Sequence, residues 1–270
     1  MVTSRAMTVL RSWSSTAATI SELVLAPPAA DAGVVVVQSV DGKLTGLESA
    51  TGKRLWIVDR SEPALSLRGT ATPVILSDAV LTGFGSGKIV AVNLKNGRLL
   101  WETPVAQPQG RSEIERLIDV DIPVLVSDRT LLAAAYQGKI VAVNLESGRL
   151  LWSRDISTYS ALAADSSNVY VSDARGNVYA LDLQSGSTAW KQDKLALRRL
   201  SAPVVTGNTV AVADFEGYVH WLEREDGRFL ARARVARAAV LAAPIADGAT
   251  LYVNTQNGYL AALRLDTHAP

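Results

Sequence analysis

Short apolar runs alternate with glycine turns along the chain, and within the runs the hydrophobic positions recur with the period of strands. Residues 209–214 form a short, mainly apolar run, a turn follows at Glu216-Gly217, and residues 218–222 alternate again. A second turn at Asp226-Gly227 leads into a further apolar stretch. Period-two alternation bounded by glycine is typical of strands, and no segment shows the 3.6-residue period of a helix. The pattern predicts an all-β chain built from units of four strands.

This unit recurs six times, with its first turn glycine at intervals of 38 to 51 residues. Turn glycines supply the positive φ that hairpins require, and a buried tryptophan fills a wedge between neighbouring sheets. We therefore predict a β-propeller of four-stranded antiparallel blades, about six of them in this chain. The turn glycines are Gly42, Gly87, Gly138, Gly176, Gly217 and Gly258; five are followed ten residues later by Gly52, Gly97, Gly148, Gly186 and Gly227; four residues further stand Trp56, Trp101, Trp152, Trp190 and, in the fifth copy, Ala231.

The two ends of the repeat array are incomplete in complementary ways. The last unit ends before its fourth strand, whereas residues 7–13, which end in Trp13, resemble the fourth strand of a unit. We accordingly interpret residues 1–21 as a remnant or closing strand and residues 22–270 as the propeller domain. Two arrangements fit: a closed ring of six blades, or the C-terminal part of a larger ring.

Composition removes several classes of function. The 270 residues carry 27 Lys+Arg against 26 Asp+Glu, so bulk charge does not direct the chain to nucleic acid. With no cysteine and two histidines, disulfides, thiol catalysis and cysteine or three-histidine metal sites are excluded. Gly83–Lys88 resembles a phosphate-binding loop, but a strand-like run follows it where such a loop needs a helix. His220 has no second histidine nearby, which disfavours a metal site or a catalytic triad.

Other segments carry a family resemblance. Residues 177–190 are similar to the repeat of quinoprotein alcohol dehydrogenases, a repeat shared by enzymes that hold pyrroloquinoline quinone and by non-catalytic propellers. Residues 63–70 and 110–121 resemble the two inter-blade segments of the BamB family, the lipoprotein propellers of the outer-membrane β-barrel assembly machinery. Residues 214–229 are also similar to that family, and the resemblance runs from about residue 22 to residue 265.

The resemblance implies a scaffold that is not an enzyme and needs no cofactor. Its expected partner is the barrel-forming subunit, through that subunit's periplasmic transport-associated repeats, and nascent outer-membrane proteins are further expected partners. Its expected location is the periplasmic face of the outer membrane. The family has eight blades, a signal peptide and a lipidated cysteine, so we expect this sequence to lack the first two blades and the anchor. The family's contact residues correspond here to Leu65, Leu67, Arg68, Asp119 and Asp121.

The residues themselves allow more than one function. Leu65 and Leu67, like Asp119 and Asp121, share one side of an extended backbone, as a contact cluster requires. The same leucines would equally suit a core, with Arg68 paired internally to an aspartate. A quinone-dependent dehydrogenase is an alternative, although the vicinal disulfide of those enzymes is impossible without cysteine. A propeller that binds another periplasmic protein is a third possibility. A second binding mode is the addition of a client strand to a blade edge. The sequence assigns no residue to this mode.

Overall fold

All regular structure in the described part of the chain is β-strand. The computed structural model describes residues 23–60, 71–105, 124–135 and 138–265, and these form 23 strands and no helix. The strands make six antiparallel sheets, which we number as blades I to VI in chain order. Blades I to V have four strands each, hydrogen-bonded in chain order, and blade VI has three described strands. The predicted four-stranded unit is confirmed.

The strands of the first three blades have the following bounds. Blade I contains β1 (Ala29–Asp31), β2 (Val34–Gln38), β3 (Lys43–Glu48) and β4 (Arg54–Asp59). Blade II contains β5 (Val74–Leu76), β6 (Ala79–Phe84), β7 (Lys88–Asn93) and β8 (Leu99–Pro104). Blade III contains β9 (Leu125–Ser127), β10 (Thr130–Ala134), β11 (Ile140–Asn144) and β12 (Leu150–Arg154).

The last three blades follow the same plan. Blade IV contains β13 (Ala163–Ala164), β14 (Asn168–Ser172), β15 (Val178–Asp182) and β16 (Thr188–Gln192). Blade V contains β17 (Val204–Thr206), β18 (Thr209–Ala213), β19 (Tyr218–Glu223) and β20 (Phe229–Arg234). Blade VI contains β21 (Ile245–Asp247), β22 (Thr250–Asn254) and β23 (Leu260–Arg264). Residues 1–22 lie outside the described residues, so the closing strand and the domain boundary stay predictions.

The hydrophobic core lies between neighbouring blades. One cluster joins blades III and IV, where Leu132 and Ile140 meet Val169 and Leu181, and a similar cluster lies at each of the other four junctions. The second strands of blades II, III and V are buried on both faces, which is why β6, β10 and β18 are largely apolar runs.

The tryptophans close these junctions from outside, as the sequence predicts. The ring of Trp152 in blade III lies over Gly186 in blade IV, where an added Cβ would be 2.6 Å from the ring. Its indole N–H donates to the Leu183 carbonyl at 2.9 Å. Two residues later Arg154 donates to the Gly186 carbonyl at 2.7 Å, so blade III is held to the turn of blade IV by two hydrogen bonds. The other rings lie over their glycines in the same way: Trp56 over Gly97, Trp101 over Gly148 and Trp190 over Gly227.

A β-bulge precedes each tryptophan and was not predicted. In β12, Trp152 pairs with Ala142 and Leu150 with Val143, so Leu151 has no partner. The bulge interrupts the alternation of faces, which leaves Leu150 and Leu151 47% and 41% exposed. The register shifts at the same point in the outer strand of all five four-stranded blades.

Blade V carries the same wedge on the neighbouring strand. Trp221 of β19 pairs with Ala231 of β20, whereas in blade III the small residue, Ala142, is on the third strand and the tryptophan on the fourth. Trp221 is 4% exposed and packs in the junction with blade VI. The missing tryptophan at position 231 is therefore replaced across the strand pair.

Candidate protein-docking face

One end of the propeller carries the described connections between blades. Because each blade runs up and down in chain order, the turn between its second and third strands lies at the same end as the connection to the next blade. We call this end the connection face. Its described connections are residues 155–162, 193–203 and 235–244, and its turns include residues 173–177 and 214–217.

Each described connection packs against the turn of the blade that it leaves. A Cβ on Gly217 would lie 2.1 Å from the Ala236 carbonyl oxygen, and one on Gly176 would lie 2.6 Å from that of Leu195. The Val235 amide donates to the Gly217 carbonyl at 2.8 Å. The glycine at this repeat position is thus required for backbone contact as well as for its positive φ of 84° at Gly217.

The five predicted contact residues lie outside the described residues. Leu65, Leu67 and Arg68 belong to the connection between β4 and β5, and Asp119 and Asp121 belong to the connection between β8 and β9. The described strands fix where these connections begin. The Arg60 amide donates to the Gly42 carbonyl at 3.1 Å and the Val105 amide donates to that of Gly87 at 2.8 Å, as Val235 does in blade V. Whether the five side chains come together stays a prediction.

A small ion-pair network marks the beginning of the first connection. Glu102 of β8 accepts from Lys88 at 2.6 Å and lies 3.5 Å from a guanidinium nitrogen of Arg60. Arg60 is the last described residue before the segment that contains Leu65, Leu67 and Arg68. The network joins blades I and II next to that segment.

The Asp214 side chain joins the turn of blade V to β19 and to the connection that arrives from blade IV. Its carboxylate is fully buried and accepts from the backbone amides of Glu216 and Tyr218, both at 2.9 Å. The other oxygen accepts from Arg198 at 2.6 Å and lies 2.9 Å from Nε2 of His220. This network was not predicted from the sequence. A signal was present, because Asp214 precedes the repeat glycine by three residues, as Asp173 does in blade IV.

The electrostatics of this network favour the charged forms of Asp214 and Arg198. Burial alone would raise the pKa of the Asp214 carboxyl, but hydrogen bonds from His220, the Tyr218 amide and Arg198 outweigh burial and hold that pKa below its usual value. The hydrogen bond to Asp214 in turn raises the pKa of Arg198. Asp214 is therefore an ionised structural anchor at neutral pH.

These groups do not assemble a recognisable reaction centre. Among the described residues no serine or threonine hydroxyl bonds to His220, and no three metal-ligating side chains form a group. Within the same residues, no helix has the length and apolar character needed to span a bilayer.

The fold and these features define a class of protein, a propeller of quinoprotein-type repeats whose connections between blades gather at one face. Solved enzymes of that class share the fold alone: the quinohemoprotein alcohol dehydrogenase of Comamonas testosteroni superposes with a TM-score of 0.64 at 14% identity, covering 80% of this chain and 44% of the enzyme. The crystal structure of BamB from Moraxella catarrhalis superposes with a TM-score of 0.83 at 28% identity, covering 92% of this chain and 74% of that one.

Sequence comparison specifies the family. The family model described as outer membrane protein assembly factor BamB matches residues 12–192 and 194–268, and the chain belongs to that family. The curated BamB of Pseudomonas aeruginosa is 45% identical over 148 residues, which are 55% of this chain and 39% of the relative. The BamB of Bordetella pertussis is 40% identical over 189 residues, which are 70% of this chain and 49% of the relative. The chain thus spans less than half the length of these curated relatives.

Proposed function

We propose that this chain is a non-catalytic scaffold of the outer-membrane protein assembly complex, located at the periplasmic face of the outer membrane. The observation that carries the proposal is the family match, because it runs without a break through both connection segments, residues 63–70 and 110–121. The partner is the barrel-forming subunit, bound through its periplasmic transport-associated repeats. The scaffold thereby assists the folding and insertion of outer-membrane β-barrel proteins.

The proposed contact consists of two parts with different chemistry. Leu65 and Leu67 supply apolar anchors, and Arg68 supplies a planar guanidinium that a partner carboxylate can bind in a bidentate manner. Asp119 and Asp121 supply the opposite charge from the next connection. The connections begin at Arg60 and Val105, which hold equivalent positions beside the turns of neighbouring blades. We therefore expect both parts at the connection face.

The exposed leucines of the outer strands support a second contact, with nascent outer-membrane proteins. Leu99 and Leu100 in β8, like Leu150 and Leu151 in β12, are between 41% and 47% exposed on the last strand of their sheets. Such an edge offers unpaired backbone groups and apolar side chains to an extended client segment.

Replacing Arg68 by glutamate is expected to reduce capture of the barrel-forming subunit's periplasmic repeats by at least about tenfold, because charge reversal at a contact centre opposes the partner's carboxylate. A quantitative pull-down with the purified repeats measures this effect, and circular dichroism confirms that the variant is folded. The control is Arg149→Glu, an exposed charge reversal in the turn at the opposite end of blade III. Full capture by folded Arg68→Glu would contradict the assignment.

A further inference from the structure

Three arginines surround a single aromatic ring at the connection-face end of blade V. The guanidinium carbons of Arg232 and Arg234 lie 4.9 and 5.0 Å from the centroid of the Tyr218 ring, and that of Arg198 lies 5.8 Å away. Tyr218 pairs directly with Arg234, and His220 with Arg232, so these side chains share the sheet face that looks towards blade IV. Cation–π contacts position the guanidinium groups over the ring without neutralising them.

Two of these three cations have no counter-ion among the described residues. Arg198 pairs with Asp214 and Glu216, but within the described ranges Arg232 and Arg234 pair with no carboxylate. The Arg234 guanidinium instead donates a hydrogen bond to the Ala236 carbonyl at 3.4 Å. Two like charges held this close repel each other, and an anion between them would relieve that repulsion.

In blades II and III the equivalent end of the third and fourth strands carries an ion pair. In blade II, Lys88 on the third strand pairs with Glu102 on the fourth at 2.6 Å. In blade III, Lys139 beside the third strand pairs with Asp155 after the fourth at 3.2 Å. Blade V has a tyrosine on the third strand and two arginines on the fourth. At this position blade V therefore has a cluster of positive charge where blades II and III have an ion pair.

A cleft of about 430 Å³ is lined by Arg198 and Arg232, and Arg234 lies beside it, where it lines a neighbouring depression together with Tyr218. Lys194, Leu195 and Arg198 from the connection between blades IV and V line one side. His220 of β19 and Phe229 and Arg232 of β20 line the other. The cleft is lined by basic and apolar side chains, which suits a polypeptide segment that carries negative charge.

We propose that this cleft, together with the adjoining Arg234, binds an extended acidic segment of a partner polypeptide, at a site separate from the connections that carry Leu65, Arg68 and Asp119. β20 is the outermost strand of its sheet, so a segment can lie along it. Arg232 and Arg234 are two residues apart on one side of that strand, about 6.6 Å along it. Acidic residues at alternate positions of the partner segment match this spacing, and each carboxylate accepts from one guanidinium.

The probe is a fluorescein-labelled peptide that alternates threonine and glutamate, and its neutral counterpart has glutamine in place of glutamate. Fluorescence anisotropy with the full chain is expected to show binding of the glutamate peptide that weakens as salt is added, and at least tenfold weaker binding of the glutamine peptide. Arg232→Glu/Arg234→Glu is expected to lower affinity for the glutamate peptide by at least tenfold. Arg232→Gln/Arg234→Gln, which removes the charges without reversing them, is expected to lower it in the same direction.

The matched control is Lys53→Glu/Arg54→Glu, which reverses two exposed charges at the outer strand of blade I and should leave peptide affinity unchanged. Equal binding of the two peptides, or unchanged binding by the folded glutamine variant, overturns the proposal. So does binding of phosphatidylglycerol vesicles in place of the peptide, which would identify a lipid surface as the ligand. Arg68→Glu should retain peptide binding, so the proposal for this site and the proposal for the scaffold contact are tested independently.

Discussion

Replacing Trp152 by alanine is expected to lower the free energy of unfolding by roughly 3–5 kcal/mol. The ring is 8% exposed and belongs to the cluster between blades III and IV, so its removal leaves a void at that junction. The variant also loses the hydrogen bond to the Leu183 carbonyl. Urea unfolding followed by tryptophan fluorescence and circular dichroism measures the change.

Gly186, which lies beneath the Trp152 ring, allows the packing between the two residues to be tested directly. Gly186→Ala is expected to cost about 1–2 kcal/mol for its left-handed backbone and a further ~1–3 kcal/mol for overpacking against Trp152. In the Trp152→Ala background the second cost disappears, so the two substitutions should be less than additive. Gly207→Ala is the control, because Gly207 also has a positive φ but an added Cβ there meets nothing within 4 Å. Strict additivity of the Trp152 and Gly186 variants would contradict the packing account.

Replacing Asp214 by asparagine is expected to cost about 3 kcal/mol at neutral pH, near the lower end for removing one partner of a buried ion pair. Arg198 keeps Glu216 and some solvent as partners, which limits the loss. Asp173→Asn is the matched control, because Asp173 holds the same turn position but accepts from amide N–H groups alone. We expect the control to lose less than about 1 kcal/mol.

The contribution of Asp214 to the free energy of unfolding depends on pH, and the direction follows from its lowered pKa. The folded-state pKa lies below the unfolded value of about 3.9, so the stabilisation is fully present above pH 4 and is lost as pH falls through the folded pKa. The stability difference between the native chain and Asp214→Asn should therefore be constant from pH 5 to 7 and narrow in stronger acid. A difference that widens in acid would show that the carboxyl is not the ionised anchor.

The sequence allowed the blade plan and the role of four tryptophans to be predicted because both depend on local spacing. Turn glycines recur at fixed offsets, and a tryptophan four residues after such a glycine falls at the blade edge. The Trp221–Ala231 exchange could not be seen in the repeat alignment, since it depends on the register between β19 and β20. Once that register is known the exchange is evident, because Trp221 is opposite Ala231, the position at which blades I to IV have tryptophan.

The exposed leucines and the arginine cleft were harder to predict for a different reason. Leu150-Leu151 looks like core in a hydrophobic pattern, and only the bulge at Ala142/Val143 shows why both are at the surface. Arg232 and Arg234 alternate with alanine, a pattern typical of an ordinary solvated strand. Their proximity to Tyr218 and Arg198 arises from cross-strand pairing and from a connection between blades, neither of which is local.

The central claim is that the barrel-forming subunit docks on the connection face, and site-specific photo-crosslinking tests it most directly. A photoreactive residue is placed at Leu67, at Asp119 or, as the control, at Gln184 in a turn at the opposite end of blade IV. Each full-length variant is irradiated with the purified periplasmic repeats. We predict crosslinks from positions 67 and 119 and none from position 184. Crosslinking from position 184 with none from 67 or 119 would contradict the account.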